Sequence, residues 1–104
     1  MQSEYRAIIA KLQSLHPEDY LQIGKCWDEE VKILTSNIDK TTSFITNECT
    51  DDELYWMSEV FEEIAHSESG KNIIEAARNR AEKIIDNDKR KSVFSEIEYA
   101  EKII

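Results

Sequence analysis

"ECTDDELYWMSEVFEEIAHSESG", Glu48 to Gly70, decides how the rest of the chain is read. Its apolar residues Leu54, Met57, Phe61, Ile64 and Ala65 recur at intervals of three and four, the period of a helix buried along one face, and do not alternate as a half-buried strand would. "TDDE" predicts a capping box, in which Thr50 accepts from the Glu53 amide while the Glu53 carboxylate reaches back to Thr50. Asp51 and Asp52 in the first turn suit the positive end of the helix dipole. The helix is expected to run on to near His66, where "SESGK" makes the turn and the next cap.

The same period extends in both directions, and two Gly and one Pro leave few breaks. Tyr5, Ile8, Ile9, Leu12 and Leu15 form a first stripe that ends at His16-Pro17. Tyr20, Ile23, Gly24, Trp27, Val31, Leu34 and Ile38 keep one face through roughly five turns, which puts Trp27 in the core. A short helix follows over about Lys40 to Cys49, with Phe44 and Ile45 turned inward. After the acidic helix come Ile73, Ile74, Ala77, Ala81 and Ile84. "DNDK" then breaks the chain, and a last stripe runs through Val93, Ile97, Ala100 and Ile104. The expected fold is all-α: a single helical domain over 1–104, with five to six helices in an antiparallel bundle or a short helical-repeat-like stack, and no sequence repeat.

With 104 residues, 40% of them apolar, the chain is long enough for one core, and a disordered reading is excluded. The net charge of −9 argues against a nucleic-acid or anionic-membrane surface and favours basic partners. That charge is concentrated: Thr41 to Gly70 holds eight carboxylates and no cation, leaving 14 of the 22 acids to face all 13 Lys and Arg elsewhere. The amphipathic N-terminus has the pattern of neither a signal peptide nor a membrane span, so a cytoplasmic monomer is expected. Cys26 and Cys49 lack metal-ligand spacing and read as free thiols.

On a helical wheel, Leu54, Met57, Phe61, Ile64 and Ala65 share the core arc. Opposite lie Asp51, Tyr55 and Glu62 at one edge, with Ser58 beside them, then Asp52, Glu59 and Glu63 in the middle, and Trp56 at the other edge. Aromatic side chains ringed by carboxylates suit a basic protein surface, because they bury large area at low rotamer cost. A neighbouring helix packed over this side would instead make Trp56 a second-layer core residue. The partner-binding candidates are thus Asp51, Asp52, Tyr55, Trp56, Ser58, Glu59, Glu62 and Glu63.

Catalytic, metal and cofactor chemistry find no support. Glu63 and His66 make one E-x-x-H unit, but the di-iron arrangement needs two plus further glutamates, and the other histidine, His16, sits beside a proline. No Ser-His or Cys-His arrangement or Gly-rich phosphate loop is present. The basic run "DKRK", Asp88 to Lys91, is read as a solvated helix end.

"DDELYWMSEVFEEIAHSESGKNII" resembles the corresponding stretch of colicin-type DNase immunity proteins, through Asp52-Glu53-Leu54, Phe61-Glu62-Glu63-Ile64, Ser69-Gly70 and Ile73-Ile74. It departs from them where Glu75 and Ala76 replace a tyrosine pair, where Asn72 replaces an aspartate, and where a short helix becomes the long "GKNIIEAARNRAEKI". The C-terminal half also resembles the broader class of small all-helical bacterial immunity proteins encoded beside contact-dependent or polymorphic toxins, in which blocks like "WMSEVFEEI" recur. The resemblance implies a non-enzymatic immunity protein that binds and neutralises a cognate basic toxin domain, a nuclease, and it assigns the contact to Asp51, Tyr55, Ser58 and Glu62. The alternative is a non-catalytic helical adaptor or regulatory protein-binding module.

Overall fold

A computed structural model describes every residue from Met1 to Ile104. The helices are α1 (Gln2–Ser14), α2 (Tyr20–Ser36), α3 (Ile38–Asn47), α4 (Asp51–Met57), α5 (Phe61–Ala65), α6 (Gly70–Ala81) and α7 (Asn87–Ile103), with a 3-10 turn (Ser58–Val60) joining α4 to α5 and no strand anywhere. Counting α4, the turn and α5 as one interrupted helix gives six helical segments, and the fold is all-α.

Side chains fix four of the helix starts. Asp19, Asn37 and Asp86 accept from the amides of Gln22, Lys40 and Lys89, and Thr50 forms the full capping box with Glu53. Ser69 occupies the corresponding place before α6 but makes no side-chain cap bond.

The helix expected to run unbroken from Thr50 to His66 is interrupted. The Ser58 hydroxyl donates to the Tyr55 carbonyl at 2.6 Å, an i to i−3 bond that competes for a helix acceptor, and Val60 leaves helical geometry at φ −112°, ψ 11°. The turn re-phases the helix, so Val60 enters the core together with Leu54, Met57, Phe61 and Ile64.

Twenty-three buried apolar residues form one cluster, and the molecule measures 31 × 30 × 26 Å. α6 lies at its centre, packed on α3, α5 and α7, while α1 packs chiefly on α2. The crossing of α6 over the end of α5 depends on Gly70, where a Cβ would lie 2.5 Å from the Ile64 carbonyl oxygen and 2.8 Å from the Ala65 Cα. Ile73, Ile74, Ala77, Ala81 and Ile84 are all buried, as are Val93, Ile97 and Ala100, but Ile104 ends the chain half exposed.

α2 is rotated from its expected setting. Its buried line is Cys26, Glu30 and Leu34, spaced by four, whereas Tyr20 is largely exposed and Trp27, expected in the core, is 37% exposed. Both cysteines are buried and free.

Candidate partner-binding surface

The acidic segment divides at the 3-10 turn. Before it, each carboxylate of the capping sequence meets a cation from a different helix. Asp51 pairs with Arg80 of α6 at 2.7 Å and accepts the Ile85 amide at 3.2 Å, while Arg80 also donates to the Cys49 carbonyl. Partial burial pushes the Asp51 carboxyl upward, but these two donors outweigh it and hold it below the usual range. Asp52 pairs with Lys89 of α7, and Glu53 takes the Arg6 guanidinium of α1 at 2.7 Å while closing the capping box. The "DKRK" run is therefore not simply solvated: Lys89 neutralises Asp52, and Arg90 donates to the Ile84 carbonyl.

From the turn onward no cation pairs with the acidic segment. The four ion pairs of the protein are Arg6–Glu53, Arg78–Glu101, Arg80–Asp51 and Lys89–Asp52, and none includes Glu59, Glu62, Glu63 or Glu96. Partial burial raises the Glu59 carboxyl, the Trp27 indole N–H opposes that rise from 3.1 Å, and Glu96 adds to it. Glu96 on α7 is raised in turn by burial and by the charges of Glu62 and Glu63. Carboxylates whose proton affinity is raised by neighbouring carboxylates, as at Glu59 and Glu96, mark repulsion that a cation would relieve.

Beside these residues runs an open groove of about 390 Å³, lined by Trp27, Tyr55, Ser58, Glu59, Ser92 and Glu96. α2, α4 with its turn, and α7 form its walls. Ser58 lies buried at its base, 3% exposed, while Tyr55 is half-buried with Lys89 Nζ 5.9 Å from its ring centroid. Trp56 is half-buried against the core, the second-layer position. A larger open depression of about 700 Å³ includes Arg6, Lys40, Asp39 and Glu48 in its lining; its mixed charge offers no comparable selectivity.

Of the eight sequence candidates, the structure therefore brings Tyr55, Ser58 and Glu59 to the groove, with Glu62 and Glu63 exposed on α5. Asp51 and Asp52 lie at the capped end in ion pairs. Sequence reasoning missed Trp27, Ser92 and Glu96, which reach the site from helices distant in the chain. Glu96 carries a usable signal, since it precedes the buried Ile97 on a helix whose inward face was already assigned.

A groove with a polarised aromatic edge and unneutralised carboxylates can hold a guanidinium or ammonium group by charge and by ring stacking. No three His, Cys, Asp or Glu side chains converge in a metal-holding arrangement, and no helix is long and apolar enough to cross a membrane. Compared with family models, curated proteins and solved structures, the chain matches none.

Proposed function

We propose that this protein is an immunity protein, which binds a cognate basic toxin domain of nuclease type and neutralises it by occupation rather than by chemistry. The observation that carries this reading is the cation-free set Glu59, Glu62, Glu63 and Glu96 beside a groove edged by Trp27 and Tyr55. Such a surface steers a basic partner into encounter through charge and retains it through buried aromatic area. The local resemblance of "DDELYWMSEVFEEI" to immunity proteins points the same way, and nuclease domains present basic surfaces to their substrates. In this reading Asp51, Asp52 and Glu53 shape the helix end, and the contact centres on Tyr55, Glu59, Glu62 and Glu63, with Trp27 and Glu96 added.

The test is co-expression with the toxin domain encoded beside the gene, with growth and complex formation as readouts. Rescue of growth by the wild-type protein, abolished by Glu59→Lys with Glu62→Lys in a protein that still folds, supports the reading. A neighbouring toxin domain that neither binds nor is neutralised overturns it and favours the adaptor alternative.

A further inference from the structure

Glu30 is the one carboxylate wholly inside the core, at 0% exposure, and no cation accompanies it. Its Oε2 lies 3.1 Å from the Tyr5 hydroxyl, which lies 3.3 Å from the Glu53 carbonyl oxygen, while its Oε1 has no partner. A tyrosine hydroxyl carries a single hydrogen. If Glu30 were ionised, that hydrogen would be shared between two acceptors and the second carboxylate oxygen would stand charged and unpartnered in the core, an expensive arrangement. A proton on Glu30 resolves the count. The carboxyl O–H then donates to Tyr5, Tyr5 donates to Glu53, and the orphan Oε1 becomes an uncharged carbonyl oxygen.

We infer that Glu30 is a proton-carrying latch: as a neutral acid it closes a hydrogen-bond chain through Tyr5 that fastens α1 to α2 and to the start of α4, and its ionisation lets α1 open. α1 is suited to such motion, because its main packing is on α2. Its other ties include the Tyr5–Phe44 edge contact at 5.5 Å, the Arg6 guanidinium over the same Phe44 ring at 5.6 Å, and the surface pair of Arg6 with Glu53. The groups facing Glu30 are Tyr5 from α1, Glu59 from the 3-10 turn and Glu63 from α5; α3 contributes none. Burial lifts the carboxyl to about 8, the Tyr5 bond opposes the rise, and Glu59 and Glu63 add to it. A carboxyl raised in the folded state favours that state most below its unfolded value, and the advantage is lost as pH climbs to the folded value.

Hydrogen exchange of the α1 amides of Ile8, Ile9 and Leu12, corrected for base catalysis, tests this directly. Their opening constant is expected to rise by up to about tenfold per pH unit between about 5 and 8 in the wild-type protein. It should stay flat in Glu30→Gln, and in the wild-type protein the α1 amides should open more readily than the α6 amides of Ile74 and Ala77 at every pH. The same pH response in both proteins, or α1 amides that open no more readily than those of α6, overturns the latch. Should Glu30→Gln fail to fold, the side-chain carboxyl NMR titration of Glu30 in the wild-type protein decides. Titration near neutral pH or above supports the latch, and titration alongside surface carboxylates removes it.

Discussion

Gly24 and Gly70 occupy opposite environments although both lie in helices. A methyl group at Gly24 meets nothing within 4 Å, so Gly24→Ala is expected to stabilise the protein by about 0.5–1 kcal/mol through the lost freedom of the unfolded chain. The same change at Gly70 drives a Cβ into the backbone of Ile64 and Ala65, which cannot rotate away, and should cost about 2 kcal/mol or more. Urea unfolding of the two variants checks both signs. Asp51 and Glu62 make a second contrast. Asp51→Ala strips Arg80 of its carboxylate, leaves a largely buried guanidinium under-satisfied, and should cost about 1–3 kcal/mol. Glu62→Gln with Glu63→Gln should change stability by no more than about 0.5 kcal/mol, as both are exposed and unpaired. Equal losses in the two variants would show that the acidic segment is not divided as described.

At the scale of the element, the capping box is the feature whose chemistry is plainest in the sequence. Thr50→Ala removes the acceptor for the Glu53 amide and is expected to cost about 1 kcal/mol, measurable as a lowered urea midpoint with unchanged slope. The periods that placed α1, α6 and α7 were legible because each carries an apolar stripe, whereas α3, read as Lys40 to Cys49, runs Ile38–Asn47 because Asn37 ends α2 and caps α3, so that Ile38, counted on the α2 face, opens the next helix. α2 was legible in part: Leu34 is buried and Ile23 and Val31 pack partly against the core as expected, but Tyr20 and Trp27 turn outward while Cys26 and Glu30 go in, and a buried glutamate does not register as core in a hydropathy pattern. The break between α4 and α5 was equally hidden. It turns on one hydroxyl, that of Ser58, choosing the Tyr55 carbonyl, a choice that periodicity does not encode.

For the whole molecule, the proposed function makes charge placement govern both association and its dependence on conditions. Glu59 and Glu96 keep their protons to higher pH than ordinary carboxyls, and a bound cation favours their release. Affinity for a basic partner should therefore rise with pH just above the ordinary carboxylate range, with proton release measured by calorimetry in buffers of different ionisation enthalpy. Association should slow on the order of tenfold in Glu59→Lys with Glu62→Lys at low salt, and the difference should shrink as ionic strength rises. Stopped-flow emission of Trp27 is a natural readout. Asp51 and Glu53, held low, support the fold above their unfolded values and withdraw that support as pH falls, so acid and alkali weaken the protein through separate residues. The candidate site was half legible: Tyr55, Glu59, Glu62 and Glu63 announce themselves in one segment, whereas Trp27 and Glu96 join them only through tertiary packing.

The division of the acidic segment at its 3-10 turn has an evolutionary corollary. Carboxylates on the near side are tied to three other helices, and drift there is penalised whatever the partner. Those from the turn onward make no ion pair, and apart from Glu59, which accepts from the Trp27 indole, their identities can be exchanged without first compensating the fold. On the proposed function, lineages can therefore retarget this face by single substitutions, and sequence divergence should gather around Glu62, Glu63 and Glu96 while Thr50 to Glu53 stays fixed.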